Sequence, residues 1–118
     1  MDVFPAFVPL VGRRVALAGS GEGLAARRRL LEDCPAERVA LDRRVARRPG
    51  AWRGCALGFV ADPDPDFCAA VAGAARRAGV PVNVMDRPGL CDFTVPAIVD
   101  RGAVVAAFGT GGASPLLA

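Results

Sequence analysis

The residues in this chain best suited to chemistry are glycines and carboxylates. Gly19-Ser20-Gly21-Glu22 follows a short apolar run and opens an Ala/Arg/Leu-rich stretch. Glycine at such a junction lets the backbone approach a pyrophosphate, and a helix starting there offers N–H donors and positive potential. This is the Gly-x-Gly core of a dinucleotide-binding fingerprint, although Leu24 stands where the third glycine belongs. A tight strand-to-helix turn without a ligand uses the same residues. Asp42 falls about 20 residues after Gly19, the offset at which an acid grips the adenosine ribose hydroxyls. That favours NAD over NADP, yet Arg43 and Arg44 follow at once and offer guanidinium groups to a 2′-phosphate. A solvated turn acid is the plain alternative for Asp42. Asp86 lies just past another apolar run, where ligands bind in open α/β sheets. It reads either as a general base or as a turn residue ahead of Pro88.

What is missing narrows the chemistry further. The 118 residues include no His, and all 15 basic residues are Arg. Ser-His-Asp triads, Cys-His dyads and His-ligated metals are therefore excluded, as are a Walker lysine and a Schiff base. A net charge of +3, with 53% apolar and 23% charged residues, fits a folded globular chain and not a disordered one. Cys34, Cys55, Cys68 and Cys91 form no C-x-x-C pair, so neither zinc nor thioredoxin-like chemistry is expected. No metal site is expected. The N-terminus has no basic n-region or apolar h-region, and no apolar run reaches about 18 residues. A reduced, cytoplasmic protein without a membrane span is the expectation.

Strands alternating with helices must position these residues. The spacing predicts strands at 14–18, 38–41, 55–61 and 81–85, and helices at 24–32 and 66–78. Asp62-Pro63-Asp64-Pro65 reads as a turn into the second helix and Gly79 as the residue that ends it. Residues 43–54 read mostly as loop with a short strand at Val45-Ala46, and 93–107 as two strands around Asp100-Arg101-Gly102. The expected fold is α/β: a Rossmann-like parallel sheet, shortened after the second strand, with a β-rich C-terminal extension. Residues 1–92 are expected to form the nucleotide-binding domain and 93–118 the start of a dimerisation and substrate region. Ser114-Pro115 reads as a helix start with only three residues behind it, as if the chain were truncated.

Several motifs carry a resemblance that runs from Phe4 to Ala118. They are Phe4-Pro5-x-Phe7, Gly12-Arg13-Arg14-Val15, the glycine loop, Val82-Asn83-Val84-Met85-Asp86-Arg87-Pro88-Gly89-Leu90-Cys91-Asp92-Phe93, Pro96-Ala97-Ile98-Val99-Asp100-Arg101-Gly102 and Thr110-Gly111-Gly112-Ala113-Ser114-Pro115. In this order they resemble the precorrin-2 dehydrogenase / sirohydrochlorin ferrochelatase family, the N-terminal module of sirohaem synthase. The resemblance implies NAD-dependent oxidation of precorrin-2 to sirohydrochlorin in a homodimer, with ferrous iron insertion as a second activity in many members. It makes Asp86 the catalytic carboxylate. Gly19, Ser20, Gly21, Glu22, Asp42, Asp62 and Asn83 become cofactor-binding residues. Arg87, Arg101 and Thr110 become candidates for contact with the polycarboxylate tetrapyrrole, whose acids guanidinium forks suit. Thr110 also stands where some relatives have a phosphorylatable Ser, and it equally serves a glycine turn. Asp92 reads as a loop-end cap and Cys91 as a small buried apolar residue rather than an iron ligand.

The chain departs from the family pattern after Asp42, where a helix is missing, and in lacking the helical dimerisation region and methyltransferase domain. A dinucleotide-binding remnant without catalysis therefore stands as the alternative. The Arg43, Arg44, Arg47, Arg48 and Arg53 patch has only Trp52 for stacking, and no nucleic-acid partner is expected from it.

Overall fold

A computed structural model describes residues 1–109. The chain divides into two compact units, Val8–Phe93 and a second made of Met1–Phe7 with the residues from Thr94 onward.

The first unit is built on a four-stranded parallel sheet in the order β2-β1-β3-β4. Its strands are β1 (Arg14–Gly19), β2 (Glu37–Leu41), β3 (Cys55–Ala61) and β4 (Val82–Val84). The central pair is buried on both faces: Val15, Ala16, Leu17, Ala18 and Val60 are at most 1% exposed. Such near-continuous apolar runs are what a parallel sheet covered on both sides requires. Side chains alternate across it. Ala16, Ala18, Val60, Val82 and Val84 join one core with Trp52 and Phe67. Val15, Leu17, Phe59 and Asn83 occupy the alternate positions, toward α1 (Glu22–Leu30).

α3 (Pro65–Arg77) covers the first face with Phe67, Cys68, Val71, Ala72, Ala74 and Ala75. Asp64 starts it: its Oδ1 accepts from Asp66 N and Phe67 N, with Pro65 in the first turn. Gly79 ends it at φ 75. Gly79 N donates to Arg76 O and Val80 N to Ala75 O, the paired bonds of a Schellman stop. α1 and α3 begin and end one to two residues from the sequence expectation, and β3 matches it.

The segment after β2 corrects the sequence reading. Val45-Ala46 is not a strand. Asp42 Oδ1 accepts from Arg44 N and Val45 N, and Asp42 O accepts from Ala46 N, so the chain coils into a 3-10 turn at Val45–Arg47. A four-residue helix, α2 (Pro49–Trp52), follows. This compact crossover carries the chain across β1 to β3. Its anchor is Trp52, fully buried, whose Nε1 donates to Ala46 O at 2.8 Å. Gly58 on β3 makes room for it, since a Cβ there would lie 2.3 Å from Trp52 Cζ3. Composition marks this stretch as polar, and a single aromatic turns it inward.

In the second unit β5 (Ala97–Asp100) and β6 (Val105–Phe108) pair antiparallel. Their turn closes on Asp100, whose Oδ1 accepts from Gly102 N, with Gly102 at φ 76. Two strands about Asp100-Arg101-Gly102 were expected, and they are present. The Ser114-Pro115 helix start lies outside the described residues.

Trp52→Ala should lower the unfolding free energy by about 3–5 kcal/mol, the usual range for emptying a large aromatic site. Urea unfolding followed by far-UV circular dichroism measures it; a loss below 1 kcal/mol would contradict an anchoring role.

Candidate active site

The carboxyl ends of β1, β3 and β4 meet at one edge of the sheet. Gly19 pairs with Ala61, and Ser20 N donates to Ala61 O at 2.9 Å. Gly19 sits at φ 122, and a Cβ there would fall 1.9 Å from Ala61 O, so only glycine permits the approach. Met85 N donates to Val60 O at 2.9 Å and ties the end of β4 to the same edge.

Between these ends lies a cleft of about 540 Å³. Residues 20–23 form one wall, Ala61, Asp62 and Pro63 a second, and Met85, Asp86 and Arg87 a third. Gly21 caps α1 at φ 91 with no side-chain acceptor on the helix's first N–H groups, and space above it is open. Gly23 supplies the close packing that the third fingerprint glycine normally provides. A Cβ there would lie 2.7 Å from Met85 Sδ and 3.3 Å from Ala61 Cβ. Sequence reasoning looked for that glycine at position 24 and missed Gly23; the Gly-x-Gly-x-Gly spacing was the available signal.

Asp86 is the one described non-glycine residue in left-handed backbone, at φ 62. Aspartate tolerates this conformation better than most residues, and such outliers concentrate at functional sites. The turn is closed by Arg87 N donating to Val84 O, and it leaves the Asp86 carboxylate exposed on the cleft wall. Arg87 reaches across, Nη2 donating to Pro63 O at 3.4 Å.

Asp62 is the most committed acid. Its side chain is 1% exposed. Its Oδ2 accepts from Ser20 Oγ at 3.0 Å and pairs with Arg43 Nη1 at 2.5 Å, while Oδ1 accepts from Asp64 N at 2.9 Å. Burial disfavours its charge, but the Asp64 N–H, the Ser20 hydroxyl and the Arg43 guanidinium outweigh burial and hold the carboxyl below its ordinary range.

Behind the cleft, Asn83 is 6% exposed. It accepts from Arg27 Nη2 at 3.2 Å and donates to Phe93 O at 3.0 Å. Arg27 lies over the Phe59 ring, 5.8 Å from its centroid. Burial pulls its guanidinium down, and Asp86 and Cys91 partly offset this. The alternation of β4 explains Asn83: between inward Val82 and Val84 it faces the α1 layer. Cys91 packs against the core as the apolar reading expects and adds a polar contact. It is half-buried, its Sγ accepts from Val84 N at 3.1 Å, and it thereby pins the Asp86 turn. Asp92 holds β4 from outside, its Oδ2 accepting from Val82 N and its Oδ1 pairing with Arg76 at 3.0 Å.

The fold thus brings Ser20, Gly21, Glu22, Asp62, Asp86 and Arg87 onto one cleft, with Gly19 packed at its base. Asp42 stands at the tip of β2 outside the lining, one oxygen taken by the turn that follows. Asn83 lies behind the wall. Arg101 is exposed in the second unit, at the β5–β6 turn, and Thr110 lies outside the described residues.

A glycine turn opening a helix, at the carboxyl edge of a doubly wound parallel sheet, defines a dinucleotide-binding α/β domain. A family model described as "Putative NAD(P)-binding" matches residues 6–97, and the chain belongs to this family. Siroheme synthase of Azotobacter vinelandii is 39% identical over 136 residues, covering 100% of this chain and 29% of that protein. Siroheme synthase of Pseudomonas aeruginosa (strain UCBPP-PA14) is 37% identical with the same coverage. That of Methylococcus capsulatus is 58% identical over 65 residues, 55% of this chain and 14% of that protein. The chain therefore spans less than a third of the length of these relatives. Among solved structures, "SirC, precorrin-2 dehydrogenase" shares the fold at a TM-score of 0.63 and 19% identity, over 98% of this chain and 65% of that one. The 136 aligned positions exceed the 118 residues here, so the relatives carry segments this chain lacks.

Because the folded-state pKa of Asp62 lies below the ordinary value near 3.8, its contribution to stability is complete above about pH 4 and is lost as pH falls through the folded value. The stability gap between wild type and Asp62→Asn should narrow as pH is lowered from 5 to 3 in urea titrations. A gap that stays constant would show that the carboxyl is not held low.

Proposed function

We propose that the chain is an NAD-dependent precorrin-2 dehydrogenase, oxidising precorrin-2 to sirohydrochlorin in the cytoplasm. The observation that carries this reading is the placement of Asp86, in left-handed backbone, on the same cleft as the glycine loop. The Siroheme synthase relatives supply the substrate class.

The cleft fits NAD. Gly19 brings the loop against β3, Gly21 leaves open space above the N-terminus of α1, and the first N–H groups of that helix face it without a side-chain cap. NAD, when bound, supplies the two-electron acceptor for the macrocycle. Gly19, Ser20, Gly21 and Glu22 form the pyrophosphate wall, Asp62 fixes Ser20, and Asp42 lies at the ribose end. Asn83 acts from behind, holding the β4 end through Phe93 and Arg27. The carboxylate of Asp86 removes the proton that macrocycle oxidation releases. With no His or Lys in the chain, a carboxylate is the available base. Arg87, on the cleft, binds substrate carboxylates. Ferrous iron insertion into sirohydrochlorin needs loss of pyrrole N–H protons and would use the same carboxylate.

A homodimer belongs to this reading. The β5–β6 ribbon exposes Ile98, Val99, Val105 and Phe108, and two strands alone are marginal in water. The unit Val8–Phe93 is the nucleotide-binding domain, without the first seven residues of the expected 1–92, and the chain from Thr94 begins the dimerisation and substrate region. One observation favours a second reading, a dinucleotide-binding module without catalysis: the β2–β3 crossover is reduced to a 3-10 turn and a four-residue helix.

Incubating the chain with precorrin-2 and NAD+ should produce sirohydrochlorin absorbance and NADH together. Asp86→Asn should slow this by about 10²–10⁴-fold while NAD+ still binds. NAD+ binding without product, with Asp86→Asn identical to wild type, would select the second reading.

A further inference from the structure

Arg43 follows Asp42 at the tip of β2, the edge where dinucleotide sites tell a ribose hydroxyl from a 2′-phosphate. An acid there selects the hydroxyl and a nearby Arg accommodates the phosphate. This chain places both types side by side. In the folded structure the Arg43 guanidinium is turned to the end of β3 instead. Its Nη1 pairs with Asp62 Oδ2 at 2.5 Å, and its Nη2 reaches Asp64 Oδ2 at 3.4 Å. The guanidinium carbon lies 4.1 Å from the centroid of the Phe67 ring, which is fully buried.

Asp62 cannot release it cheaply. With its side chain 1% exposed, losing Arg43 would leave a buried carboxylate held only by Ser20 Oγ and Asp64 N. Arg43 itself is half-exposed, but its departure would strip the enclosed Asp62 carboxylate of its counter-charge, which is unfavourable. The stacking on Phe67 adds a cation–π contact that swinging out would break. Asp42, Asp62 and Asp64 also place negative charge near a group that would carry more.

We infer that Asp62 and Asp64 are cofactor-selectivity residues: by holding Arg43 against Phe67 they deny a 2′-phosphate its guanidinium partner and reserve the site for a dinucleotide with a free 2′-hydroxyl. The inference rests on the dinucleotide-binding reading of the cleft and adds to it the residues that choose between NAD and NADP. Arg44 at this tip is exposed, its backbone N–H committed to Asp42, and Arg47 lies over the same Phe67 ring at 5.4 Å.

The test is calorimetric titration of the full chain with NAD+ and NADP+. Wild type should bind NAD+ more tightly by about tenfold or more. Asp62→Asn combined with Asp64→Asn removes both charges yet keeps a carbonyl acceptor for Asp64 N and a good helix cap. NADP+ should then gain about tenfold relative to NAD+, and adding Arg43→Ala should abolish the gain. Asp64→Asn alone, at the partner whose side chain is 45% exposed, should shift the ratio in the same direction by less. An unchanged ratio in both Asn variants, or a gain that survives Arg43→Ala, overturns the inference. Equal binding of the two dinucleotides by wild type overturns it while leaving the cleft a dinucleotide site. Binding of neither overturns the site reading itself.

Discussion

The pairing of β1 with β3 runs to the last residue of each strand, Gly19 opposite Ala61, and the site hangs on that final contact. Because Gly19 has no Cβ, the chain can lie on Ala61 O and turn at once into α1. Ser20 N donates to the same carbonyl, which sets the Ser20 hydroxyl over Asp62. One residue of β3 earlier, Val60 O receives Met85 N and fixes the Asp86 turn to the same edge. Three segments distant in sequence are thereby held at one end of a sheet whose interior is apolar except for Asn83. Rigid strands with polar groups confined to their tips are the general device by which open α/β sheets present a ligand site.

Polar groups below that edge are nearly all engaged, and each engagement has a positional effect. Asp64 caps α3 and so aims the 62–65 turn. Cys91 and Asp92 receive N–H groups of β4 that have no further strand to meet, replacing an edge pairing with side chains. Asn83 interrupts an apolar strand only because Arg27 and Phe93 satisfy it. Within the cleft, Asp86 is exposed and lies in left-handed backbone, whereas Asp62 is buried and paired. Two carboxylates a few residues from strand ends are thus held differently: one is exposed on the cleft and one is enclosed and ion-paired.

The Arg43 clamp shows how the same residues change meaning between chain and fold. In sequence Arg43 is one of a cluster of arginines after an acid, open to a phosphate or to solvent. In the folded chain it joins the tip of β2 to the tip of β3 across the Phe67 ring. No local pattern reveals that, because Arg43 and its partners are separated by a crossover whose path depends on burying Trp52.

By itself the sequence determined the α/β alternation, the buried central strands, the glycine turn and the position of Asp86 just past a strand. These follow from short-range periodicity, from Gly and Pro chemistry and from helix-end signals such as Asp64-Pro65 and Gly79, all of which act within a few residues. The tertiary structure alone decided the rest. It turned Val45-Ala46 into a 3-10 turn because Asp42 captured two backbone N–H groups and Trp52 needed a pocket at Gly58. It moved Asn83 behind the cleft by strand parity, made Gly23 the packing glycine by bringing Met85 onto α1, and tied the half-exposed Arg43 to Asp62. Each of these depends on contacts between residues far apart in the chain, and such contacts exist only once the sheet has brought its strand ends together.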